Sequence, residues 1–222
     1  QDQPDAADSG AVEKVTVTGS RIKRPEYNRL LPTQSISGAT IDNRGQANLA
    51  DAINEIPSFG FGAPPTGNQQ SFGAGQNFVD LFDLGTQRTL TLVNGRRFIS
   101  SNQATLFVAG NAPGLQVDYN VLPTALVDRI EIVAVGGAAT YGADAIAGTV
   151  NVILKDDFEG IEVDPQYSVG EPGDGKNWRA RGTAGLNFDD DRGNIAVSAE
   201  YNQVEGLLYT DRDLTALSLL YT

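Results

Sequence analysis

Hydrophobic and polar positions divide the chain into stretches of different rhythm. Residues 1–11 are polar, acidic and small, with no apolar face, and are expected to stay disordered. Val12–Thr18 (VEKVTVT) alternates and is β-branched, which predicts an extended segment stopped by Gly19 and Ser20. A lone strand carries unpaired backbone groups and needs a partner edge. It is either the first strand of a domain or a segment that adds to the sheet of another protein. Residues 47–56 place Leu49, Ala52, Ile53 and Ile56 on one helical face, and Pro57 ends the helix. Residues 58–78 have no period and are rich in Gly, Pro, Asn and Gln, which predicts a long loop. Its Phe59, Phe61 and Phe72 either pin it to a core or contact a ligand.

Residues 88–100 alternate through Leu90 and Leu92 and then turn at Asn94-Gly95, predicting a hairpin with a type I′ turn. Arg96 and Arg97 follow the turn, and 101–116 is again irregular. Pro123 can open a short helical turn. Asp128–Val135 alternates as a strand with Arg129 and Glu131 on one face, and Thr149–Leu154 reads as another strand.

Beyond Asp157 the rhythm becomes strand, turn, strand, over 161–169, 177–188 and 194–204. In the second of these, Trp178, Ala180, Gly182, Ala184, Leu186 and Phe188 share one face, and Arg179, Arg181, Thr183 and Asn187 the other. In the third, Ile195, Val197, Ala199 and Tyr201 oppose Ser198, Glu200 and Asn202. Strands of about 9–11 residues with one apolar face suit an outer-membrane barrel, and equally a soluble antiparallel sheet.

Composition narrows the chemistry. The chain has no His and no Cys, which removes the commonest general base, the commonest metal ligand and any disulfide. The net charge of −12 argues against a nucleic-acid partner, which needs a basic face. No apolar run approaches the roughly 20 residues of a membrane helix. The small-residue run 136–148 lacks the spacing of a phosphate loop, and Asp189-Asp190-Asp191 lacks that of a calcium loop. Enzyme function, a cofactor and a metal site are not expected. Gln1 reads as a mature N-terminus left after signal removal.

Four blocks together resemble one family: LADAINEIPSFG (49–60), LFDLGTQRTLTLVNGRRF (81–98), VDYNVLPTALVDRIEIV (117–133) and YGADAIAGTVNVILKDDFEG (141–160). In order and spacing they resemble the plug domain of TonB-dependent receptors of the Gram-negative outer membrane. The resemblance implies a small α+β plug with a mixed sheet and short helices over 21–158. It is followed over 159–222 by the first antiparallel strands of a transmembrane barrel of about 22 strands. Residues 1–20 then form a periplasmic N-terminus in which Val12, Glu13, Lys14, Val15, Thr16 and Val17 fall where the family has its TonB box. That segment pairs by strand addition with TonB, the inner-membrane energy transducer.

By the same resemblance the outward loops help form the site for an external substrate. The candidates are Phe59, Phe61, Asn68, Gln69, Gln70, Phe72 and Asn77 in the first loop and Asn102, Gln103 and Asn111 in the second. Arg129 and Glu131, with Arg96 and Arg97 less directly, are candidates for plug–barrel electrostatics. The turn Ala134-Val135-Gly136-Gly137 departs from the turn with a charged residue and Pro frequent in the family, so it is expected to lack one possible electrostatic contact to the barrel. Only 11 residues precede the box, which is expected to exclude the signal-transducing subclass. Three strands leave open edges that lipid does not tolerate, so the rest of the barrel comes from the same polypeptide or a second chain. The implied function is energy-coupled uptake. A passive outer-membrane binding module is the alternative.

Overall fold

The computed structural model describes residues 33–44, 48–60, 76–101, 116–134, 137–170, 173, 175–189 and 192–206. They form two sheets. The first contains β1 (Thr33–Ser37), β2 (Thr89–Val93), β3 (Arg96–Arg97), β4 (Val127–Ala134) and β5 (Gly148–Leu154) in the order β1-β4-β5-β2-β3. β2 and β5 run parallel, and the other pairs are antiparallel. The helices are short: α1 (Gly38–Asn43), α2 (Leu49–Asn54) and α3 (Ala138–Tyr141).

The mixed sheet is covered on both faces, so its central strands bury nearly every side chain. One face carries the main core, in which Leu49 and Ile53 of α2 pack with Tyr119, Ile130, Ile132, Val150 and Val152. The other carries a smaller cluster of Leu90, Leu92 and Ala145, with Tyr141 against it. The helix expected over 47–56 forms as α2, where the Asn48 side chain caps the Asp51 N–H at 3.0 Å. The expected hairpin forms with Asn94 at φ 49° and Gly95 at φ 76°, both positive as a type I′ turn requires. Its tip is tied to β5, because Gly95 N–H donates to Asn151 Oδ1 and Leu154 N–H to Asn94 Oδ1, each at 2.9 Å.

β1, α1 and α3 lie outside the sequence expectations. β1 (TQSIS) is a polar edge strand whose only apolar side chain is Ile36, too weak a rhythm to read. α1 is a single short helix capped by Ser37, whose Oγ accepts from Thr40 N–H at 3.2 Å. Gly38 permits it to lie on β4, since a Cβ there would collide with the Val127 carbonyl.

The second sheet is β6 (Gly160–Ser168), β7 (Asn177–Phe188) and β8 (Gly193–Val204), an antiparallel meander. The expected alternation holds. Ile161, Val163 and Val197 face outward, with 83%, 73% and 67% of their surface exposed, while Arg179, Arg181 and Thr183 on the opposite face of β7 are buried. At one end of the outward face Trp178 and Tyr201 stack with ring centroids 4.8 Å apart. Phe188 lies on the same face at the other end of β7.

Candidate functional site

The inner face of β7 meets the mixed-sheet domain through one connected set of polar groups. Arg181 is at its centre, with 4% of its side chain exposed. Its Nη1 donates to Asp42 Oδ1 of α1 at 2.8 Å and reaches Thr124 Oγ1 at 3.4 Å. Its Nη2 lies 2.7 Å from Asp164 Oδ2 on β6. Thr124, at the start of the 3₁₀ turn Thr124–Leu126, donates to Glu200 Oε2 of β8 at 2.8 Å. Arg179, the inward neighbour of Arg181, also reaches Asp164, at 3.4 Å. A buried guanidinium is tolerated because carboxylates surround it, and removal of one partner leaves the others uncompensated.

The residues expected to make plug–barrel electrostatics have the following partners among the described residues. Arg129 turns along its own strand, with Nε 3.1 Å from Glu131 Oε1 and Nη1 2.6 Å from Asp128 Oδ2. Partial burial works against its charge, but the hydrogen bonds to Glu131 and Asp128 outweigh it and hold the guanidinium above its ordinary pKa. Arg97 pairs with Asp144 and donates to the Tyr141 carbonyl at 2.9 Å, closing the rim of a cavity of about 240 Å³ lined by Thr89, Thr91, Phe98 and Val117. Arg96 is exposed beside it on β3. Arg181 and Asp42, which do bridge the two sheets, had no expected role. The one available signal was a pair of arginines on the polar face of a strand whose other face is apolar.

Of the candidate loop residues, Phe59 and Asn77 fall among the described residues, and both are interior rather than presented to a ligand. Phe59 is 7% exposed within the main core, and its strand bridge to Leu81 closes the base of the loop. Asn77 is fully buried. Its side-chain amide donates to Asn48 Oδ1 at 2.7 Å and Asp51 Oδ1 at 3.2 Å, and its N–H to Asp118 Oδ1 at 3.0 Å. Asp118 N–H in turn donates to Ser101 Oγ at 2.9 Å. The bases of both irregular stretches are thus joined to α2 by one polar knot. Burial raises the pKa of Asp51 in that knot, against the hydrogen bonds from Asn77 and Asn48. Val12, Glu13, Lys14, Val15, Thr16, Val17, Phe61, Asn68, Gln69, Gln70, Phe72, Asn102, Gln103 and Asn111 lie outside the described residues.

A mixed-sheet domain fastened by polar contacts to the inner face of an outward-apolar strand meander defines a plug seated on a barrel wall. Residues 27–149 match the family model of the TonB-dependent receptor plug domain, and the chain belongs to that family. Solved structures agree in fold. The ferric enterobactin receptor PfeA of Pseudomonas aeruginosa is 22% identical with a TM-score of 0.61, over 82% of this chain and 26% of that one. The siderophore receptor PirA of Acinetobacter baumannii is 21% identical with a TM-score of 0.59, over 78% and 24%. PirA of Pseudomonas aeruginosa is 20% identical with a TM-score of 0.52, over 78% and 29%. The chain therefore spans about a quarter of the length of these receptors.

Proposed function

We propose that this chain is the plug (21–158) and first barrel strands (159–222) of an outer-membrane transporter whose plug gates uptake of an external substrate. TonB acts on residues 12–17 from the periplasm. The outward apolar face of β6–β8 lies against lipid, and the remaining strands close the barrel. The carrying observation, given the family, is the bridge from Arg181 of the wall to Asp42 of the plug. A plug held to the wall by a few polar contacts is a closure that a pull can release. Differential binding of a few kcal/mol suffices to shift such a two-state element.

Ferric chelates are the first substrate class to try, because the similar receptors named above are ferric enterobactin and siderophore receptors. Oligosaccharides are the second, since loops rich in Asn, Gln and Ser suit a polyhydroxylated ligand. The test is deletion of residues 12–17 in the full-length receptor, with binding and uptake of each labelled probe measured on whole cells. Binding should persist while uptake stops. Uptake that continues at the native rate rejects energy coupling and leaves a passive binding module.

A further inference from the structure

The connector 155–159 between β5 and β6 is the place where the chain leaves the plug for the barrel, and both of its ends are held. On the plug side, Lys155 N–H donates to the Leu126 carbonyl at 2.8 Å and Lys155 Nζ to the Ala125 carbonyl at 3.0 Å. On the wall side, the Phe158 carbonyl accepts from Asn194 Nδ2 of β8 at 2.8 Å. The same amide is oriented by Asn187 Oδ1 of β7 at 2.6 Å. Gly185 of β7 provides the space. A Cβ there would stand 2.8 Å from the Phe158 ring and closer still to its carbonyl. Lys155 Nζ lies 5.5 Å from the centre of that ring, so the two anchored ends also touch each other.

We propose that Lys155, Phe158, Gly185 and Asn194 form a seat that fixes the exit of the plug on the inner wall, as a second closure separate from the Arg181 bridge. The seat rests on the reading of β6–β8 as barrel wall and is independent of TonB coupling. Its wall-side contacts are a backbone carbonyl, a neutral amide and a glycine gap. They neither titrate in the physiological range nor weaken with salt, unlike an ion pair. The seat therefore positions the plug by shape and backbone hydrogen bonding. Asn194 and Gly185 are positioning residues.

The experiment uses the purified full-length receptor in planar bilayers, with open probability followed in urea and barrel melting followed by heat-modifiable migration. Asn194→Ala and Gly185→Val should raise open probability about tenfold, the factor expected when a half-buried carbonyl loses its donor. The rise should be the same at low and high salt, and the barrel melting temperature should not move. Gly182→Ala is the control, because no atom lies within 4 Å of a Cβ at Gly182. Should Gly185→Val give no folded barrel, Asn194→Ala carries the test alone. Open probability at the native level in folded Asn194→Ala overturns the proposal. So does a fall in barrel melting temperature in step with opening, which would make Asn194 a strand-pairing residue. Loss of TonB dependence after deletion of residues 12–17 bears on the transport reading and leaves these outcomes untouched.

Discussion

Arg181 of β7 donates to Asp42 of α1 at 2.8 Å, joining the barrel wall to a helix 139 residues earlier in the chain. The guanidinium is buried, while the Asp42 side chain keeps 35% of its surface in solvent. A fully buried pair broken on one side costs about 3–5 kcal/mol, and the solvent reaching Asp42 lowers that here to about 2 kcal/mol. Arg181→Ala in the full-length receptor should therefore release the plug at lower urea. Asp42→Ala should do the same more weakly, because Arg181 keeps Asp164 at 2.7 Å. The double variant should show a coupling of about 1 kcal/mol or more. Strictly additive effects would mean that the two groups do not hold each other.

Asp51 gives the plug a pH dependence of unusual sign. Burial raises its folded pKa above the ordinary 3.8, against the hydrogen bonds from Asn77 and Asn48. The folded state then binds more protons than the unfolded state, so stability falls as pH rises from about 3.8 to the raised folded value. The contribution is fully present below that window and absent above it. Asp80 adds in the same direction, since burial raises its pKa more than the Gly85 N–H lowers it. The urea midpoint for plug release should fall across this window, and Asp51→Asn should flatten part of the slope. The variant also loses one of two carboxylate acceptors, so it should be less stable below the window, where the native carboxyl is neutral. A slope identical to that of the native receptor would remove Asp51 from the account.

The sequence carried those elements whose pattern is local. α2 is readable from its apolar face and Pro57, and the hairpin from Asn94-Gly95, because each needs only near neighbours. The faces of β7 and β8 are readable from the alternation that runs through Trp178–Phe188 and, with Ala196 as its exception, through Ile195–Asn202. β1 is not, because its place at the sheet edge is set by pairing Ile36 with Ile130, far along the chain. The same limit hid the site. Asn77 reads as an outward polar loop residue until Asp118, 41 residues on, accepts its N–H. Phe59 reads equally as a core anchor and as a ligand contact until the core closes over it. Arg129 and Glu131 were visible as a charged pair on one strand, but whether such a pair turns along its strand or toward a wall depends on where the wall is.

The buried phenol of Tyr119 offers a test of the plug interior itself. Tyr119 is 1% exposed and Thr91 3%, and their hydroxyls lie 2.8 Å apart. Desolvation raises the Tyr119 pKa above its usual value, and the Thr91 hydrogen bond only partly opposes it, so the phenol stays neutral at working pH. Tyr119→Phe leaves the Thr91 hydroxyl buried without this partner and should cost about 1–2 kcal/mol. Thr91→Val leaves the phenol in the same position and should cost a similar amount. The double variant replaces both polar groups with apolar ones of nearly the same shape. It should recover most of the loss, ending within about 1 kcal/mol of the native plug. The urea midpoint for plug release in the full-length receptor reads all three variants. Recovery in the double variant identifies the pair as a mutually satisfied hydrogen bond between the core and β2. Two losses that simply add would instead mean that the two hydroxyls do not stabilise each other, because both variants leave the Tyr119 ring in place.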